Sequence, residues 1–419
     1  MESTLSILPI DIILDVLTPL SEEDLYNVAL VSSHLSGSAN RLLYRSISLQ
    51  LRPLSGQDNS LHRLERLVDT LTRKPHLQPY VLRLTIDLRY RFGESRFGDH
   101  ANLLGLLPNL QILSLQPPPY DFGLSMLASP ILQTLHLNFS NGRDHDGNAQ
   151  VPGPLDIIEH VFWAPQLRRL LVEGVTFDSA FSQKFGMYPS RSSLITDLQF
   201  RDCDQQQLGC LPNMLNCIKA LERFALEIHT PWKISYRCSK GIEPAMLGQA
   251  IGIHAESLVR LEIASSDTAE FCQTSLLGGL AGYPRLKKLA IPDDLLFTIS
   301  DKHATLVDVL PASLEELQLQ FTMLATPPGK DVNRLLRLDR LHQLATTKET
   351  RFTALRRVIV WYQPTELWSN DGSCYGPLSD MDDLKAVFQN VGVKFKYLSE
   401  TYFFETPFSA EENDNLFQS

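Results

Sequence analysis

Cysteine, net positive charge and unbroken apolar runs are scarce in this chain of 419 residues, and each scarcity removes a class of protein. The six cysteines, Cys203, Cys210, Cys217, Cys238, Cys272 and Cys374, form no CxxC pair. So few in so long a chain argue against a disulfide scaffold and suit a reducing compartment. The formal net charge of -10 disfavours broad attraction to nucleic acid. The apolar opening is broken by Pro9, Asp11 and Asp15, and no basic residue precedes it. Neither a secretory leader nor a membrane span is therefore expected. Motifs of chemistry are missing as well: there is no HExxH, GxSxG, GxGxxG or P-loop. Asp144, Asp146 and Asn148 begin like a calcium loop, but Ala149 stands where the turn needs glycine. No catalytic residue, metal site or cofactor is expected, and the chain reads as a non-catalytic intracellular protein of cytoplasm or nucleus.

What is present begins with helical periodicity. Leu8, Ile12, Ile13, Val16, Leu17 and Leu20 recur at helical spacing, with Pro9 and Asp11 suited to a first turn. Ser21 reads as an N-cap, with Asp24 three residues on as a partial capping box. A second helix follows through Leu25, Val28, Ala29 and Val31, and a third through Ala39, Leu42 and Leu43. Three short helices cannot bury all these side chains among themselves. An exposed apolar patch is expected, and such patches mark partner sites.

Leu8-Pro9, Ile12-Ile13, Leu17, Asp24-Leu25 and Val31-Ser32 resemble the F-box signature in order and spacing. Asp11 stands where that family often has Glu, and Leu43-Tyr44 where it often has Trp. The resemblance is to fungal F-box proteins with irregular leucine-rich repeats. It implies binding of a Skp-type adaptor, and through it a cullin scaffold, by Leu8, Pro9, Ile12, Ile13, Leu17, Leu25, Val28 and Val31.

Further along, L-x-x-L-x-L recurs with copies beginning at Val81, Leu110, Leu132, Leu167, Ile195, Leu221, Leu258, Leu286, Leu314 and Leu355. The mean spacing of about 30 residues, with full helices between copies, matches irregular leucine-rich repeats. A degenerate copy spans residues 44–49, and residues 390–398 read as a closing strand. Helices are expected at 61–73, 155–162, 212–218, 244–254, 275–280, 305–310, 333–345 and 380–389. The fold class is α/β: a three-helix F-box module, residues 1–50, precedes a leucine-rich-repeat solenoid, residues 51–405. Parallel strands line the concave side of the horseshoe and helices the convex side. Residues 406–419 read as a disordered acidic tail.

Two features suit a target protein. The third position of the repeats is basic in six of ten copies, including Arg169, Arg223, Arg260 and Lys288. Stacked on neighbouring strands roughly 5 Å apart, these can hold an acidic or phosphorylated peptide. Alternatively the lane is solvated and neutralised by Glu173, Glu227 and Glu262. Trp232 and Trp361, each in an aromatic loop, can anchor a partner or pack back onto the array. The resemblance implies a substrate-recognition subunit of a Skp–cullin–F-box ubiquitin ligase that holds an unknown protein substrate. The competing reading is a repeat scaffold that binds the adaptor or other partners without directing ubiquitination.

Overall fold

The computed structural model describes residues 8–50, 59–87, 103–116, 131–139, 158, 161–175, 185, 189–203, 211–228, 243–265, 275–297, 304–321, 332–362 and 379–398. Two compact units arise from the chain: residues 1–175 with 192–195, and residues 176–191 with 196–419.

The first unit opens with α1 (Ile10–Leu17), α2 (Glu22–Val31) and α3 (Ser33–Leu43). Then come β1 (Ser46–Gln50), α4 (Asn59–Arg73) and a 3-10 turn at Pro75–Tyr80. Strands β2 (Arg83–Asp87), β3 (Ile112–Gln116), β4 (Thr134–Asn138) and β5 (Arg169–Glu173) complete it, each pairing in parallel with the one before. The second unit comprises β6 (Asp197–Cys203), α5 (Leu211–Cys217), β7 (Arg223–Ile228), α6 (Pro244–Gly252), β8 (Arg260–Ser265) and β9 (Lys288–Pro292). After a 3-10 turn at Asp293–Leu295 come α7 (Leu306–Val309), β10 (Glu316–Phe321), α8 (Val332–Thr346), β11 (Arg357–Tyr362), α9 (Ser379–Asn390) and β12 (Lys394–Leu398). These strands are likewise parallel, each beside its predecessor in the chain.

Every copy of the L-x-x-L-x-L pattern becomes a strand that starts at its third residue. The register stacks each copy on its equivalent: Leu84, Leu113, Leu135 and Leu170 in the first unit. In the second unit the stack is Leu198, Phe224, Leu261, Leu289, Leu317, Val358 and Phe395. These side chains are buried, so a repeat gains its apolar burial, about 1.5–3 kcal/mol per large side chain, only against its neighbour.

A recurring hydrogen-bond device fixes that register. The carbonyl just before a strand accepts from two consecutive N–H groups of the next repeat. Leu82 O accepts from Gln111 and Ile112, Glu222 O from Val259 and Arg260, and Lys287 O from Glu315 and Glu316. Buried side chains serve other backbone groups. His254 Nε2 donates to Leu215 O at 2.9 Å while its Nδ1 accepts from Leu221 N at 3.4 Å. That pattern requires the neutral ring, and burial pushes its pKa down.

One expected helix is absent. Residues 275–280 are irregular, because Gly278 takes φ +101° and the Leu277 and Leu280 N–H groups donate to Leu295 O and Val309 O. The Leu277 carbonyl lies against α6 at Gly248, where a Cβ would sit 1.7 Å from that oxygen. Only glycine permits this approach of helix and loop. Most of the expected helix at 155–162, and the expected tail at 406–419, lie outside the described residues.

Candidate partner-binding surfaces

The three N-terminal helices are set by local chemistry. The Ser21 hydroxyl accepts from Asp24 N at 3.2 Å and donates to the Asp24 carboxylate at 2.7 Å, and Glu22, Glu23 and Asp24 face the positive helix end. Ser32 caps α3 by accepting from Leu35 N at 3.2 Å. Ile13, Leu17, Leu25 and Ala39 form the core, with Leu20, Val28, Ala29, Leu35, Leu42 and Leu43 packed at its margin.

The other apolar side chains of α1 and α2 face outward. On α1, Ile12 and Val16 are four apart on the side away from Ile13 and Leu17, and Val16 keeps 60% of its surface exposed. On α2, Tyr26 and Leu30 repeat that spacing, and Val31 is 83% exposed. Leu8, Pro9 and Ile10 are exposed at the entrance to α1. The eight residues that the F-box resemblance singled out thus separate by position. Leu8, Pro9, Ile12 and Val31 lie on the surface; Ile13, Leu17 and Leu25 are interior; Val28 is half-buried between. The adaptor-binding set that the resemblance implied did not include Ile10, Val16, Tyr26 and Leu30, although the i,i+4 spacing of Tyr26 with Leu30 matches that of Ile12 with Val16.

The basic lane is built on strands and its charges are matched. Arg223, Arg260 and Lys288 sit side by side in register on β7, β8 and β9. Arg260, 5% exposed, is ion-paired with Glu262. Arg223 lies 3.7 Å from Glu262 and 3.9 Å from Asp197, and Lys288 lies 3.8 Å from Glu316. Glu262 therefore acts as the neutralising neighbour that the sequence offered as the second reading of the lane. Arg169, half-buried on β5, belongs to the first unit. There Glu173 receives Asn138 Nδ2 and lies 3.4 Å from His136, whose Nδ1 is 3.2 Å from Ser114 Oγ.

Trp361 departs from its expected loop. It is on β11, with 3% of its surface exposed, because the strand of that repeat continues past the six-residue unit to its seventh residue, which pairs opposite Gln320 and Leu398. Trp232 lies outside the described residues. Cys203 and Cys217 are buried thiols outside any disulfide, and burial pushes Cys217 up to about 11, which leaves it unreactive.

A second charged cluster follows β9. Asp293 forms an ion pair with Arg337 of α8 at 2.5 Å and 3.0 Å, and Arg337 also lies over the Phe321 ring. Arg340, one turn on, stacks 3.9 Å over Phe297 and donates to Ala304 O. Asp294, beside Asp293, is pushed up to about 7 by burial and by its anionic neighbour. The cluster pins α8 to the sheet end. Among the described residues no group of three or more metal-ligating side chains occurs, and no helix is long and apolar enough to cross a membrane.

No curated protein matches the chain. A family model described as F-box-like matches residues 5–50, a stretch that contains α1–α3. The chain therefore carries an F-box-like domain at residues 5–50, a type of helical module that binds Skp-type adaptors.

Proposed function

We propose that this protein is the substrate-recognition subunit of a Skp–cullin–F-box ubiquitin ligase. The observation that carries the reading is the pair of uncovered apolar stripes on the F-box-like module. Ile12 with Val16, and Tyr26 with Leu30 and Val31, are apolar side chains turned to solvent on helices whose own core is already filled. An adaptor that covers them gains hydrophobic burial without rearranging that core. Leu8, Pro9, Ile12 and Val31, joined by Val16 and Leu30, make the contact. Ile13, Leu17 and Leu25 hold the helices in place behind it, and Val28 bridges the two layers.

The parallel strands of each unit act as leucine-rich repeats that present a sheet face to a target protein. On the second unit Arg223, Arg260 and Lys288 serve as a charge-matched lane, which selects partners by pattern rather than by bulk charge, and on the first unit Arg169 offers a basic position of its own. Ubiquitin transfer itself belongs to other subunits, and this chain contributes proximity and orientation, with no catalytic residue or cofactor of its own. It acts inside the cell.

The test is co-purification of the full chain with a Skp-type adaptor, followed by ubiquitin profiling of cells with and without the gene. The reading expects a complex that Ile12→Asp with Val31→Asp abolishes, and at least one protein whose ubiquitination disappears with the gene. A complex without any change in ubiquitination favours the scaffold role. No complex at all overturns the ligase reading and leaves only a scaffold that works through the repeats alone.

A further inference from the structure

The last strand of the second unit has an open side. β12 pairs with β11 along one edge, and among the described residues no strand lies along the other. The Lys394 N–H donates to Arg356 O, on the β11 side, at 2.9 Å. Backbone groups alternate along a parallel strand, so the N–H and C=O groups of Phe395 and Tyr397 point the other way. They form a short template of donors and acceptors that a further strand can extend. The template is held from behind: Val393 and Phe395 are buried, and Phe395 stacks on Phe388 of α9 with ring centroids 5.1 Å apart.

The side chains of β12 restrict what can add there. Lys394 and Lys396 are exposed, and among the described residues neither has an ion-pair partner. Alternation turns both to one face of the sheet, roughly 7 Å apart. On the opposite face Tyr397 keeps 36% of its surface exposed, beside the buried Phe395. A strand laid along β12 therefore meets two cations on one face and an aromatic ring on the other. A second copy of β12 would set lysines against lysines, which disfavours self-pairing. A strand with carboxylates at alternate positions and apolar residues between them meets opposite charge and apolar contact at once.

We propose that the open edge of β12 takes an extended acidic segment of a partner protein as an added strand, with alternate carboxylates against Lys394 and Lys396 and apolar side chains against Tyr397. The backbone template supplies the attachment, and the two lysines set its register and the sign of charge it accepts. The inference does not depend on a role in ubiquitination, and its test needs neither adaptor nor ligase.

The probe is a fluorescein-labelled hexapeptide that alternates Glu and Val, titrated against the full chain by anisotropy. The expected dissociation constant is about 100 μM or tighter. The isomer with its Glu and Val residues in separate blocks binds about tenfold or more weakly, because its charges no longer share one face. Of two alternating probes, one N-methylated on every Glu and one on every Val, a single one loses binding, since only alternate N–H groups face β12. This comparison uses the unaltered chain and so needs no variant to fold. Lys394→Glu with Lys396→Glu abolishes binding of the Glu-Val probe and confers binding of a Lys-Val probe. Tyr397→Pro removes an outward N–H, spares the bonds to β11 and also abolishes binding, with hydrogen exchange of residues 379–398 reporting that β12 stays folded. Absence of binding at about 1 mM, equal affinity for the block isomer, equal behaviour of the two methylated probes, or binding that survives the lysine reversal would each overturn the proposal.

Discussion

Changing Ile12 to aspartate separates the exposed stripe from the core that supports it. Ile12 keeps 46% of its surface in the free chain, so a charge there costs folding little, within about 0.5 kcal/mol. In a complex the same site is covered. Burying the remaining half of an isoleucine is worth about 1 kcal/mol, and a carboxylate in an apolar interface without a partner adds several more. A loss of about 3–5 kcal/mol raises the dissociation constant by two to three orders of magnitude. Leu17→Asp also loses binding, but for another reason. Leu17 is 5% exposed within the Ile13–Leu25–Ala39 cluster, where even truncation costs about 2–5 kcal/mol. The assay pairs adaptor titration with hydrogen exchange of residues 8–50. Ile12→Asp should lose affinity with protection of α1–α3 intact, whereas Leu17→Asp should lose both. If Ile12→Asp keeps wild-type affinity, or if it strips protection from the helices, the assignment of stripe and core is refuted.

Three further outcomes concern the second unit. Gly248→Ala should lower the melting temperature by forcing α6 off the Leu277 carbonyl, at a cost of about 2 kcal/mol or more; an unchanged melt would show that the loop yields freely. Arg337→Ala strands the buried Asp293 carboxylate and should cost about 3–5 kcal/mol in chemical denaturation, largely recovered when Asp293→Asn is added. Asp294 titrates near 7 in the folded chain, above its unfolded value of 3.8, so the folded state takes up its proton first. Its contribution to stability therefore rises as pH falls from about 7 toward 4. His254 acts in the opposite sense, since its lowered pKa costs stability as pH falls through 6.5, so the Asp294 effect is read as a difference between variants. Asp294→Asn should be more stable than wild type at pH 8 by about 2 kcal/mol, with the gap closing by pH 4; a gap that does not change with pH would contradict the assignment.

Periodicity carried most of the fold because the repeat places the same apolar residues at the same ladder positions. Leu84, Leu113, Leu135 and Leu170 are legible in the sequence as they stack in space. The six-residue unit at 275–280 misled because Leu277 and Leu280 mimic helical spacing while Gly278 and Gly279 free the backbone to turn away. The docking module was legible as a module but only partly as a surface. Ile12 and Ile13, or Val16 and Leu17, are adjacent in sequence and chemically alike, and only the helix phase decides which of each pair faces inward. The pairing within the charge lane was hidden for a related reason. Which carboxylate meets Arg223 depends on cross-strand register, and Glu262 reaches both Arg223 and Arg260 from a strand more than thirty residues away from the first.

Isothermal titration of the full chain with a purified Skp-type adaptor, repeated at several temperatures, bears most directly on the role of the exposed helices. A one-to-one complex with a negative heat-capacity change, as the covering of Ile12, Val16, Tyr26, Leu30 and Val31 requires, is the predicted result. Absence of a complex at adaptor concentrations of about 100 μM, with α1–α3 folded, would contradict it.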